Sequence, residues 1–150
     1  MSLVWSRPRC RGRTRRGVSS FDAPRVRPAP NTISGTSLDG VPLSKTLVGL
    51  TLIVAVKQNC DGCRDFIFSE LNELSDVPVL ILSATGDDNG EWTDSLQQVI
   101  VAPRMLQELD IRWPPFYVLV DPERRLVVTE GVVFGPAQVA SEIASYFSSR

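Results

Sequence analysis

Lys45 and Lys57 bracket eleven residues, Thr46 to Val56, that form a near-continuous apolar run. A membrane span needs about 20 such residues, so this run is too short to cross a bilayer. It suits a central strand covered on both faces. The run feeds directly into Gln58-Asn59-Cys60-Asp61-Gly62-Cys63. Helical spacing begins inside that motif, because Cys63, Phe66, Ile67, Leu71 and Leu74 share one face of a helix expected over 61–75. Asp76-Val77-Pro78 closes it. Strand, two thiols, helix is an order that sets the first sulfur where a helix points its unpaired N–H groups. Those groups and the helix dipole favour thiolate over thiol, and the thiolate is the species that attacks a disulfide.

The rest of the chain supplies partners for this unit. Thr32 and Ile33 alternate against Val41 and Leu43 around Leu38-Asp39-Gly40, which predicts a short hairpin over 31–45. Val79 to Leu82 reads as a second buried strand, ended by the turn-rich Gly86-Asp87-Asp88-Asn89-Gly90. A brief extended piece, Val99-Ile100-Val101, precedes a helix with Pro103 in its first turn and Met105, Leu106 and Leu109 on its buried side. Phe116 to Val120 reads as the third core strand, and Leu126-Val127-Val128 pairs back after Asp121-Pro122-Glu123-Arg124. Gly135-Pro136 opens a last helix with Val139, Ala140, Ile143 and Phe147 on one face.

Residues 1–30 carry eight Arg and one Asp, whereas the remainder carries eight Lys and Arg against sixteen Asp and Glu. An acidic body argues against nucleic acid as a partner. The leader is rich in Arg, Pro, Gly and Ser and is expected to be disordered over 1–30. Its Arg-rich, nearly acid-free composition matches a transit peptide, and Arg15-Arg16 matches part of a twin-arginine export signal but lacks the apolar segment that should follow. A tail without function is the plainer reading, with Cys10 incidental to it. The 150 residues, 43% of them hydrophobic, leave one domain over 31–150 with a real core. Three Cys do not make a disulfide framework, and a reducing compartment, the cytoplasm, is the expectation. The absence of His removes Ser-His-Asp and Cys-His catalysis and the commonest metal ligand.

From about residue 29 onward the chain resembles the thioredoxin-like thiol–disulfide oxidoreductases. The resemblance rests on the strand–Cys60-Asp61-Gly62-Cys63–helix unit, on a Pro directly before the third core strand in Trp113-Pro114-Pro115-Phe116, and on a closing strand–strand–helix. Ala29-Pro30-Asn31 followed by Leu38-Asp39-Gly40-Val41-Pro42-Leu43 is similar to the N-terminal hairpin of peroxiredoxins and of reductase-type members. The resemblance implies an α/β fold, a central mixed sheet flanked by helices. It also implies a cis proline facing the cysteines, at Pro115. Asn59 stands where thioredoxins usually have Trp, and Val54 takes the place of the buried carboxylate that assists the second Cys. Val56-Lys57-Gln58-Asn59 lacks the Pro and Thr that peroxiredoxins set ahead of their attacking Cys.

The expected chemistry is disulfide reduction, with Cys60 attacking and Cys63, one helical turn later, resolving. Substrates would be protein or small-molecule disulfides, with an electron donor the chain does not name. Trp113, Pro114 and Pro115 are the candidate substrate rim. Neither cofactor nor metal is called for, because Cys-x-x-Cys is only half of a zinc site and no second pair or His completes it. The rival from another class is a thioredoxin-fold binding module whose cysteines are structural or vestigial.

Overall fold

The computed structural model describes residues 27–148. The strands are β1 (Arg27–Pro28), β2 (Thr32–Thr36), β3 (Pro42–Thr46), β4 (Thr51–Val56), β5 (Val79–Ser83), β6 (Val99–Val101), β7 (Phe116–Asp121) and β8 (Leu126–Val132). The helices are α1 (Asp61–Ile67), α2 (Pro103–Glu108), α3 (Pro136–Ile143) and α4 (Ser145–Ser148). All eight strands form one sheet in the order β1-β8-β7-β4-β5-β6-β2-β3. β4 runs parallel to β5, and β5 parallel to β6. β7 is antiparallel to both β4 and β8. This is the mixed sheet flanked by helices that the resemblance implies.

β4 is buried at every residue, and its side chains divide between two cores. Leu52, Val54 and Val56 face one way, with Cys63, Phe66 and Ile67 of α1 and Val139 and Ile143 of α3. Ile53 and Ala55 face the other way, with Met105 and Leu106 of α2 and Ile33 of β2. The period-2 alternation of a strand makes this division unavoidable once both faces are covered. The hydrophobic residues expected for the Pro103 helix and the last helix are buried or marginal, but the last helix is two: Ala140 of α3 and Phe147 of the separate α4 both lie at the margin of the first core.

Several boundaries differ from those read in the sequence. The apolar run is not one strand: Thr46 ends β3, and β4 starts only at Thr51, after a connector with Gly49. The helix expected over 61–75 stops at Ile67. The Ile67 carbonyl accepts instead from the backbone N–H groups of Leu96 and Gln97, at 3.0 and 3.1 Å. The Leu71 N–H goes to Ser69 Oγ at 2.9 Å, and Leu71 turns to φ 59. A 3-10 turn over Asn72–Leu74 follows, so Leu71 and Leu74 reach the core by a reversal rather than by helical period. β8 extends four residues past the expected Val128.

The leader is corrected at its end. Arg27 and Pro28 pair with Val127 and Leu126, the Ala29 N–H donates to the Arg125 carbonyl at 2.8 Å, and Ala29 is buried. The Arg27 guanidinium bonds both Glu130 and the Leu109 carbonyl. An apolar Ala and an Arg with two fixed acceptors are thus part of the folded sheet. Cys10, the Arg15-Arg16 pair and the disorder expected for the leader before Arg27 lie outside the described residues.

Candidate active site

β4 ends at Val56, and the chain leaves the sheet through exposed Lys57 and half-buried Gln58. Asn59 then adopts φ 58, a left-handed conformation that Asn tolerates better than most residues. That turn delivers Cys60 in an extended conformation, φ −134 and ψ 113, as the N-cap of α1. Cys60 Sγ accepts the Cys63 backbone N–H at 3.2 Å, and the Cys60 carbonyl accepts from Arg64 N at 3.0 Å. A sulfur in the place of the usual capping oxygen satisfies one of the orphan donors of a helix start, and it does so best as a thiolate.

Cys60 and Cys63 form a disulfide with a Cα–Cα separation of 5.2 Å, within the range that a disulfide bridges without backbone movement. The two sulfurs are not equivalent. Cys60 is partly exposed, whereas Cys63 is wholly buried against the first core. One accessible and one shielded thiol is the asymmetry that attack followed by resolution requires. Asp61, exposed in the first turn, suits the helix dipole but opposes a thiolate beside it. Val54, which shares the first core with Cys63, is fully buried among apolar side chains and offers no proton acceptor.

The Pro114–Pro115 peptide bond is cis. Ala55 pairs with Phe116, so this bond sits at the end of the sheet where β4 releases the chain toward Cys60. The Pro115 carbonyl accepts from Val133 N at 3.2 Å. A Cβ built on Gly62 would lie 3.2 Å from the Phe134 carbonyl oxygen and 3.4 Å from that of Val133. The segment after β8 therefore joins the proline loop to the dithiol turn, and Gly62 is the residue that lets it approach so closely. Trp113 stands 77% exposed beside the proline pair, while Pro114 and Pro115 are half-buried.

Phe134 was not among the residues the sequence singled out. It is 74% exposed, with its N–H held by Gln138 Oε1 at 2.7 Å. A large aromatic continuing the Val132-Val133 run just before Gly135-Pro136 is the signal that would have found it. Glu91 was missed as well. Both of its carboxylate oxygens accept the Asn59 N–H, at 3.1 Å each. Among the described residues no group of three or more His, Cys, Asp or Glu side chains is placed to hold a metal. Among them, too, no helix is long and apolar enough to cross a membrane.

No protein-family model matches the chain, and no curated protein matches it in sequence. Solved structures do match. A thiol:disulfide interchange protein from Bacteroides sp. is 20% identical, with a TM-score of 0.54 over 81% of this chain and 88% of that one. StoA from Bacillus subtilis is 11% identical, with a TM-score of 0.56 over 77% of this chain and 98% of that one. A thio-disulfide isomerase from Thermus thermophilus is 17% identical, with a TM-score of 0.52 over 79% of this chain and 95% of that one. Identities this low speak to architecture: the chain has the thioredoxin-like fold that its motifs resemble.

Proposed function

We propose that this protein is a thiol–disulfide oxidoreductase that reduces protein or small-molecule disulfides through Cys60 and Cys63. One observation carries the reading: a partly exposed Cys60 sulfur receives the Cys63 N–H and is bonded to a wholly buried Cys63. The fold's solved relatives with names of this activity add support.

The reaction begins from the reduced pair. The Cys60 thiolate attacks one sulfur of the substrate disulfide and displaces the other as a thiolate, which takes a proton from solvent. A mixed disulfide now joins Cys60 to the substrate. Cys63 loses its proton, attacks Cys60 Sγ and expels the second substrate thiolate. Two electrons have passed to the substrate, and the Cys60–Cys63 disulfide of this structure is the product state. An external dithiol must reduce it again. Trp113 and Phe134, both exposed, flank the dithiol end of the sheet as an apolar rim suited to an extended peptide. The acidic body disfavours a nucleic-acid partner, and the low cysteine count supports a cytoplasmic setting.

A binding module on the same fold is the second reading, favoured by Val54, which leaves Cys63 without a neighbouring acid. The two separate cleanly. Incubation of Cys63→Ser with glutathione disulfide should accumulate a mixed disulfide at Cys60, located by peptide mass so that Cys10 is told apart, and Cys60→Ser should form none at Cys63. Both thiols staying unreactive while the protein still captures a partner would establish the binding module instead.

A further inference from the structure

Three contacts tie the residues just ahead of Cys60 to one loop. Gln58 Nε2 donates to the Gly86 carbonyl at 2.9 Å, and Asn89 Nδ2 donates to Gln58 Oε1 at 3.0 Å. The Asn59 N–H donates to both oxygens of Glu91. The loop is built for this presentation. Trp92 is fully buried and anchors it to the first core. The Asp87 carboxylate accepts from the backbone N–H groups of Glu91 and Trp92, at 2.7 and 2.9 Å. Gly90 makes the turn at φ 69. The Glu91 side chain is only 13% exposed, and its second neighbour is Arg64 of α1, with Nη1 at 4.0 Å. One carboxylate therefore touches the residue before Cys60 and the residue after Cys63.

Asn59 is where this matters. Its left-handed conformation is open to Asn but still less favourable than an ordinary φ, so contacts that hold it there decide its population. Relaxed to an ordinary φ, Asn59 would redirect the chain and carry Cys60 out of its capping position. We propose, building on the exchange reading above, that Glu91 is a positioning residue for the reaction. It holds Asn59 in the left-handed turn and so keeps the Cys60 sulfur where it receives the Cys63 N–H. The other charged groups around the dithiol turn are Asp61 and Arg64 on α1 and Lys57 at the end of β4; Glu91→Gln, which removes the charge beside Arg64 but keeps an oxygen for Asn59, separates charge from position.

The experiment uses full-length reduced protein. Cys60 alkylation is followed by mass from about pH 5 to about pH 10, a span that brackets ordinary and activated thiols, with thermal unfolding as a control. Glu91→Ala should move the Cys60 midpoint up toward that of an ordinary thiol and slow alkylation at neutral pH about fivefold or more. Glu91→Gln keeps an oxygen for the Asn59 N–H and should stay within about twofold of the wild type. Asn59→Gly in the Glu91→Ala background should restore the midpoint, because Gly holds a positive φ unaided. The double variant also serves if Glu91→Ala alone does not fold. The proposal is overturned if Glu91→Ala titrates like the wild type while its melting temperature falls, since the bond is then only structural. A Glu91→Gln midpoint below the wild type would overturn it too, by showing that charge rather than position is what Glu91 contributes. Exchange with glutathione disulfide is measured in parallel. A wild type that does not exchange, yet whose Cys60 midpoint depends on Glu91, defeats the exchange reading and leaves the positioning claim standing.

Discussion

At the scale of single residues, the chemistry depends on two sulfurs whose surroundings differ. The cysteines were legible because Cys60 and Cys63 interrupt an apolar run at the point where its period changes from strand to helix. Their inequality was partly legible, since Cys63 falls on the apolar face of α1 and Cys60 does not. Glu91 and Phe134 were not legible. Each reaches the site from a loop distant in sequence, and no local pattern records which loops converge. Phe134 yields a direct test. Its exposed ring adds apolar area beside the dithiol without touching the core, so Phe134→Ala should leave folding intact. For a peptide disulfide, kcat/KM should fall about threefold to tenfold, mostly through KM, in keeping with about 1 kcal/mol of lost apolar contact. Glutathione disulfide, too small to reach the rim, should be turned over as before.

Among the elements, β4 and α1 form the scaffold of the site, and the other strands fix their height. β4 was legible as buried because every position in it after Thr51 is apolar. The end of α1 was not, because Leu71 and Leu74 keep helical spacing while a carbonyl at Ile67 is claimed by the distant Leu96 and Gln97 N–H groups. The β2–β3 hairpin was legible from its Asp-Gly turn, but its docking beside β6 was not. That docking depends on Gly35, where a Cβ would lie 2.4 Å from the Val101 carbonyl oxygen. Gly35→Ala should therefore force the two strands apart and lower stability by about 1–3 kcal/mol, measured by denaturant unfolding. A second link joins β7 to α3, where the Tyr117 hydroxyl donates to Glu142 Oε1 at 2.7 Å. Burial first, and the Glu142 bond second, push the Tyr117 phenol well above its ordinary value. The unfolded chain then loses this proton before the folded one does. The contribution is complete below about pH 10, the ordinary tyrosine value, and is lost as pH rises beyond it. Thermal unfolding should show stability falling in that alkaline window, and Tyr117→Phe should flatten the fall.

At the scale of the molecule, the described residues form one eight-stranded sheet with a core on each face and the dithiol at one end of its central strand. This much follows from an apolar run that must be covered twice. The start of the fold was misplaced because Arg27-Pro28 reads like the Arg- and Pro-rich residues before it. Only the partners show otherwise, with Arg27 reaching Glu130 and the Leu109 carbonyl across the sheet edge. Arg27→Ala in the full chain should lower stability by about 1–3 kcal/mol in denaturant unfolding, the usual cost of losing bonds to a charged group that is mostly buried. Acidic groups dominate the body, and one of them, Asp61, stands in the first turn of α1 beside Cys60. Negative charge there limits how far the Cys60 thiolate is stabilised, and a pair whose thiolate is not strongly stabilised is a reductant rather than an oxidant.

In the proposed reaction Cys60 and Cys63 act as one two-electron couple. Equilibrating the protein against graded ratios of reduced to oxidised dithiothreitol, then counting free thiols at Cys60 and Cys63 by mass, measures this directly. The prediction is a single transition in which both thiols appear together, at a potential below about −200 mV, on the reducing side of the known dithiol proteins. A pair that stays fully oxidised or fully reduced across the series, or whose two cysteines change independently, would contradict it.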